Sequence, residues 1–216
     1  MKTLKKRINE LLPNYGLIAL LAAVCVNTLV YNGSRLISEQ LYHYRFVTGI
    51  DAQIPFIKEF VIVYIPIAYG QWIYGFYLSA REDVKTCRMI FTAEIAAKLM
   101  CLLFFLVIPT TMERAHINGD DLCSRWVHLV YTTDAADNLF PSIHCIESYL
   151  LMRTCGMLKK APDWYKAVTP TVTLLVMAST VFVKQHVILD CFAAVIVTEA
   201  ALLISRKTIQ VIKENI

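Results

Sequence analysis

Apolar residues run in long blocks along this chain, broken by short polar or proline-containing joints, and the blocks outlast the period-2 strands and one-sided helices of a soluble core. Six of them, at about 15 to 31, 56 to 78, 88 to 109, 142 to 158, 166 to 183 and 186 to 205, approach the roughly 20 residues that carry a helix across a bilayer. The pattern predicts an all-α integral membrane bundle of six helices, formed by residues 1–216 as a single domain. The first run begins near Tyr15 after Lys2, Lys5, Lys6 and Arg7, which is also how a signal peptide starts. No small-residue cleavage site follows it, and the run reaches spanning length. The chain shows no internal repeat and no low-complexity segment.

Composition agrees with the blocks. Charged residues make up 18% of the chain and hydrophobic ones 57%, with positive mean hydropathy, which excludes an ordinary soluble domain. The formal charge of +4 does not mark a nucleic-acid partner, because the basic residues sit in short runs between apolar blocks. Fourteen of the 21 Lys and Arg residues fall on one side of a six-span topology: the N-terminus, the second and fourth joints and the tail. Six fall on the other side (Arg35, Arg45, Lys58, Arg114, Arg125 and Lys184), and Lys98 lies inside the third span. Positive residues accumulate on the cytoplasmic side, so both termini are expected there. The joints at 32 to 55, 110 to 141 and 184 to 186 are then extracytoplasmic, in a protein of the cell membrane. Of the seven cysteines only Cys123 lies in a long polar connection, and no disulfide framework or CxxC metal spacing follows.

Ionisable groups inside a span cost roughly 2.5 to 3.5 kcal/mol each on insertion scales, so each needs a partner or a purpose. Glu94 and Lys98 are four apart on one helix face, in the order that favours an ion pair. Either they neutralise each other or one of them lines a polar cavity. Glu147, three residues after His144, either bonds that imidazole or reaches for the interface. Glu199 lies towards the cytoplasmic end and reads as structural.

Two segments carry chemistry. Asn138-Leu139-Phe140-Pro141-Ser142-Ile143-His144 opens the fourth span, with Pro141 placed at a first helical position. The unpaired N–H groups of that helix start make an anion site, towards which the Ser142 hydroxyl and the His144 ring are expected to point. The second segment, Ser179 to Asp190, crosses the joint between spans five and six. His186 and Asp190 are four apart, which on a helix sets a carboxylate beside the ring to accept the Nδ1 hydrogen and leave Nε2 as nucleophile or base. A structural His–Asp pair would show the same spacing, but a second histidine at another helix start on the same membrane face favours a reaction site.

Pro141-Ser142-Ile143-His144 and Ser179-Thr180-x5-His186-x3-Asp190 together resemble the type 2 phosphatidic acid phosphatase superfamily, which includes membrane lipid phosphatases and, on a soluble version of the fold, vanadium haloperoxidases. Its pattern reads Lys-x6-Arg-Pro, Pro-Ser-Gly-His and Ser-Arg-x5-His-x3-Asp. The resemblance implies His186 as the nucleophile that becomes phosphohistidine, Asp190 as its orienting partner and His144 as the acid for the leaving alkoxide, with no metal or other cofactor. It further implies Arg114, Ser142 and Ser179 around the phosphate. Among the departures from the pattern, Ile143 stands where the family has Gly, Ala115 follows Arg114 where it has Pro, Val107 stands for the first Lys, and Thr180 for the third-part Arg. Lys184 and Arg114 could supply the missing charge, and Lys98 too if its cavity opens outward. The Lys184-Gln185-His186-x3-Asp190 version looks like the branch with inositol phosphorylceramide synthase and sphingomyelin synthase, which move a phospho-head-group onto an alcohol.

The expected activity is therefore hydrolysis of a lipid phosphomonoester or pyrophosphate, of the phosphatidic acid, phosphatidylglycerol phosphate or prenyl pyrophosphate type, taken sideways from the bilayer. The partners are the bilayer and the lipid phosphate, and the sequence is silent on oligomeric state. Head-group transfer is the rival enzyme, a small transporter the rival from another class, and a non-catalytic family member a third. The loop at 110 to 140, with Glu113, Asp120, Asp121, Asp134 and Asp137 against Arg114 and Arg125, reads as a solvated connection without EF-hand spacing, in which Asp134 or Asp137 could position a basic phosphate ligand or cap the fourth helix. The enzyme reading demands His144 and His186 within about 10 Å of each other across a space for one phosphate, since both must reach a common atom. Arg114 and Lys184 belong on its rim.

Overall fold

In a computed structural model the described residues are 11–214, so Lys2, Lys5, Lys6 and Arg7 lie outside them. The described residues form eight helices: α1 (Asn14–Ser38), α2 (Gly49–Gln53), α3 (Lys58–Arg81), α4 (Val84–Val107), α5 (Leu122–Thr133), α6 (Ile143–Thr154), α7 (Asp163–Phe182) and α8 (Ile188–Glu214). Among them there is no strand, only two isolated bridges, Tyr44 to Thr110 and Thr111 to Asp137, which tie the connections before α2 and around α5 together.

Among the described residues five helices are long and apolar enough to cross a membrane: α1, α3, α4, α7 and α8. Their outer faces carry large apolar side chains. Ile18, Leu21 and Val24 on α1, Leu99 and Leu103 on α4, and Phe192 and Ile196 on α8 are all more than half exposed. So large an apolar surface is stable against hydrocarbon and not against water. Two of the helices bend through π-turns, at Leu29–Gly33 in α1 and at Val63–Ile67 in α3. The second contains Pro66, whose missing N–H and ring displace the regular hydrogen-bond ladder.

The predicted span at 142 to 158 is different in kind. Its helix, α6, has 12 residues and ends in a tight turn at Cys155–Met157. At ~1.5 Å per residue it rises ~18 Å, short of a ~30 Å hydrocarbon core. It sits in the middle of the bundle, with Ile146, Leu150 and Leu151 fully buried, the first two in one cluster with Ala93, Ala97 and Val197. Neighbouring helices shield it from lipid, so it tolerates Glu147 and Ser148. The polar loop expected at 110 to 140 contains α5, which Asp121 caps by accepting the Cys123 and Ser124 N–H groups. Its apolar face, Val127 and Val130, packs on Val61 and Tyr64 of α3 and on Val183.

Close packing needs small residues at two crossings. A Cβ at Gly16 would collide with the Ala80 carbonyl oxygen, and one at Gly75 would come within 2.5 Å of the Tyr165 hydroxyl. Polar ties join the helices inside: Gln71 Nε2 donates to Thr173 Oγ1 at 2.9 Å, and Trp72 Nε1 to Ser148 Oγ at 2.8 Å. Glu199 of α8 takes Arg153 and Tyr149 of α6.

Lys98 has no exposed surface. Its ammonium stands 3.3 Å from Glu94 Oε1 on its own helix and 2.5 Å from Glu147 Oε1 on α6. The predicted local pair therefore exists, but its shorter arm crosses between helices, and Glu147 bonds Lys98 and not the His144 imidazole. Removing one member of such a cluster leaves uncompensated buried charge, so Lys98→Met should cost about 3–5 kcal/mol. Thermal unfolding in detergent checks this, and adding Glu94→Gln and Glu147→Gln should recover most of the loss.

Candidate functional site

The site forms where the starts of α6 and α8 meet. Ser142 is the N-cap of α6, so the helix starts two residues later than a first helical position at Pro141 would give, and Pro141 lies outside the helix. The Ser142 side chain is fully buried and accepts the Cys145 N–H at 3.3 Å, so it terminates the helix and does not face an anion. The Ser142 N–H donates to the Asp190 carbonyl at 3.3 Å, which locks the two helix starts together. The Ile143 and His144 N–H groups find no acceptor among the described residues and keep the anion-binding character of a helix start.

His186 is not on a helix. It lies in the turn between α7 and α8, which begins only at Ile188, so the i, i+4 helical argument for its contact with Asp190 does not apply. The contact forms all the same, Nδ1 to Oδ2 at 3.1 Å, because the same carboxylate oxygen also accepts the Val187 N–H at 3.1 Å and so caps the start of α8. A carboxylate can only accept, so Nδ1 carries the hydrogen and Nε2 holds the lone pair. The His144 and His186 ring centres are 5.9 Å apart. His144 stacks on Tyr64 at 4.5 Å and leans on Trp72 at 5.2 Å, contacts that fix the ring without using its nitrogens.

Both histidines border a cavity of about 550 Å³ between α1, α3, α5 and α6, whose lining includes the exposed Tyr69 and Leu129. His186 also borders a second cavity of about 310 Å³, with Arg45, Asp51, Glu113, Arg114 and Lys184. The expected rim is thus half present. Arg114 and Lys184 lie beside His186, but on its other side.

Neither presents a free fork or ammonium. Arg114 donates through Nη1 to the carbonyls of Lys184 (2.8 Å) and Gln185 (3.2 Å), and through Nη2 to those of Asp134 and Ala135 (3.3 Å each). Its guanidinium lies over the Tyr131 ring, and burial lowers its pKa. Lys184 adopts φ +54° and donates to the carbonyls of Asp51 (3.0 Å) and Ile54 (2.6 Å), with its pKa lowered by burial against the pull of Asp51. These two residues brace the His186 turn; the phosphate contacts expected of them are not made by these atoms. Ser179 is buried in α7 and bonds back to the Val176 carbonyl, and Thr180 does the same to Met177, so neither faces a cavity. Lys98 is enclosed with its two glutamates.

Three residues of the site escaped the sequence reading or were given other roles in it. Asp51 accepts the Ile188 N–H at 2.9 Å from within the capping box of α2. Thr48-Gly49-Ile50-Asp51 is a legible helix start, but nothing local points it at residue 188. Asp134 receives the hydroxyls of Tyr31 and Tyr64, and Asp137 takes Arg35 at 3.1 Å. Neither caps α6. Among the described residues no three His, Cys, Asp or Glu side chains gather as metal ligands. Compared with family models, curated proteins and solved structures, the chain matches none.

Burial pushes the Asp51 carboxyl up, but the hydrogen bonds from Ile188 and Thr48 and the Lys184 charge outweigh it and hold the pKa below the ordinary value. A depressed carboxyl stabilises the fold above its unfolded pKa, and that contribution disappears as pH falls through the folded value. Asp51→Asn should therefore unfold at a lower temperature than wild type at pH 7, and the gap should narrow as pH drops below about 3.9, the ordinary value for Asp. Thermal melts across pH in detergent check this.

Proposed function

We propose that this chain is a membrane lipid phosphatase working through a phosphohistidine, in a six-helix bundle with both termini cytoplasmic and the site open on the extracytoplasmic side. One observation carries the reading: two histidine rings 5.9 Å apart, one of them with Nδ1 bonded to a buried carboxylate. The resemblance of Pro141 to His144 and of Ser179 to Asp190 to the type 2 phosphatidic acid phosphatase pattern supports it.

His186 Nε2 attacks the phosphorus as the bond to the lipid oxygen breaks. The negative charge of a bound phosphate favours a proton on His144, which gives it to the leaving alkoxide. Asp190 holds the ring and stabilises the charge it gains. Water then attacks the phosphohistidine, His144 takes a proton from it, the P–N bond breaks, and phosphate leaves with both histidines restored. The N–H groups of Ile143 and His144 are placed to offset charge on the phosphoryl oxygens. The cavity lining includes Tyr69 and Leu129, whose side chains are also exposed on the outside of the bundle, which suits a substrate arriving from the bilayer. Transfer of a phospho-head-group to an alcohol is a second reading, favoured by a cavity far larger than a phosphate and one water need.

Purified protein in detergent with EDTA should release phosphate from at least one of phosphatidic acid, phosphatidylglycerol phosphate and prenyl pyrophosphate. His186→Gln should abolish release, and Asp190→Asn should lower it by about 10⁴-fold if the orienting carboxylate acts as in other triads. Activity surviving in His186→Gln would overturn the mechanism, while transfer seen only with an added alcohol would select the second reading. For the topology, a membrane-impermeant maleimide added to intact cells should label Cys123, the thiol near the start of α5.

A further inference from the structure

The end of the bundle away from the histidines is rich in basic residues. Because α6 and α8 both start at the site, that end is formed by the start of α4, the connection after α6 and the later turns of α8. Several of its cations are tied. Arg153 pairs with Glu199, Lys160 donates to the Arg81 carbonyl, Arg81 lies over the Tyr77 ring at 5.3 Å, and Lys166 stands 3.7 Å from Asp163. Lys85 on α4, Lys159 on the connection and Arg206 on α8 are exposed, and among the described residues their side chains have no hydrogen bond or ion pair.

These three cations line one groove of about 850 Å³, larger than the cavity at the histidines. The one carboxylate in it, Asp83, caps α4 by accepting the Lys85 and Thr86 N–H groups and the Thr86 hydroxyl, and only the field of Lys159 reaches it from across the groove. The field of Arg206 reaches Glu199, which Arg153 and Tyr149 already occupy. Three cations against one carboxylate leave two positive charges in excess. The tendency of positive residues to gather on the cytoplasmic side accounts for their number at this end, but not for three from separate elements converging unpaired on one groove. Like charges gathered there repel, and an anion between them reverses the sign of the interaction.

Two observations make that anion a lipid's. Met89, Met157 and Ile209 line the same groove, so it sets apolar surface beside the cations, as an amphiphile requires. Trp164, 58% exposed, lies in the first turn of α7, five residues after Lys159, and stacks on Tyr74 with ring centres 5.7 Å apart. Exposed tryptophan at a helix end marks the head-group level of a bilayer, which brings Lys159 close to lipid phosphate.

We propose that this groove seats the phosphate group of an acidic membrane phospholipid, held by Lys85, Lys159 and Arg206 with the start of its acyl chains against Met89, Met157 and Ile209. In the topology proposed above the lipid belongs to the cytoplasmic leaflet, on the opposite side from the reaction site. Once bound, it joins α4 and α8 to the segment that ends α6, the helix carrying His144. The seat depends on the chain spanning a membrane and on none of the histidine chemistry.

The test is native mass spectrometry of the full-length protein released from mild detergent, titrated with dioleoyl phosphatidylserine, dioleoyl phosphatidylcholine and inorganic phosphate. Phosphatidylserine should bind at least about tenfold tighter than phosphatidylcholine, the scale of two surface cations acting on one acidic head group. Lys159→Gln/Arg206→Gln should erase that preference. Arg88→Gln/Lys207→Gln removes the same charge from exposed positions at the same end that do not line the groove, and should leave the preference intact. All four positions are exposed, so neither pair of changes should unfold the protein. His186→Gln should bind phosphatidylserine as wild type does, which separates the groove from the reaction site. Loss of the preference in His186→Gln, equal loss in the two double variants, equal binding of the two lipids or no binding would overturn the seat. Displacement of phosphatidylserine by an equal concentration of inorganic phosphate would assign the groove to a soluble anion and overturn it as well. The readout needs no catalysis, so a groove-dependent preference beside a failed phosphatase panel would retain the seat and discard the hydrolytic reading.

Discussion

The turn at 183–187 must leave helical geometry in surroundings that offer little water, and every backbone group it frees has to be matched by the protein. The connections around it converge to do so. The Ile57 N–H reaches the Phe182 carbonyl, the Tyr131 hydroxyl takes the Val183 carbonyl, and Arg114 takes those of Lys184 and Gln185. The Gln185 and His186 N–H groups return to Thr180, and Asp51 and Asp190 collect the Ile188 and Val187 N–H groups. His186 is held from several directions before any ligand arrives. Such rigidity fixes the His186 ring relative to the His144 ring, 5.9 Å away.

That bracing consumes the cations. Arg114, Lys184 and Arg35 all serve as ties between segments, and Lys98 as a tie between α4 and α6. The larger of the two cavities at His186 is lined by Asp134, Asp137 and Glu147 and by no lysine or arginine.

The bundle solves the membrane problem by placing a short, polar-bearing helix in the centre. With α6 enclosed, Glu147, Ser148 and the Lys98 cluster can face one another, and Trp72 and Thr173 can bond to it, without exposing a polar group to hydrocarbon. A short central helix also brings its N-terminus, with His144, down to the level of the cavity.

The sequence by itself determined the helical class and placed five long helices to within a few residues at most of their ends, because hydrophobic block length depends on local composition alone. The exceptions are α1, which runs on to Ser38, and α8, which continues to Glu214, where polar residues extend a helix beyond its apolar block. It also determined that His186 would meet Asp190, though for a helical reason that does not hold: the carboxylate caps a helix start, and the ring precedes it. A signal for α5 was present in Asp121 with Ser124 and the spacing of Val127 and Val130, but its charges masked it. What only the tertiary structure decided was the use of each charge. Whether Arg114 faces a phosphate or four carbonyls, whether Lys98 pairs with one glutamate or two, and whether 142 to 158 meets lipid or protein all depend on segments distant in the chain. Burial and pairing are properties of the neighbours a residue acquires, and those neighbours are chosen by packing.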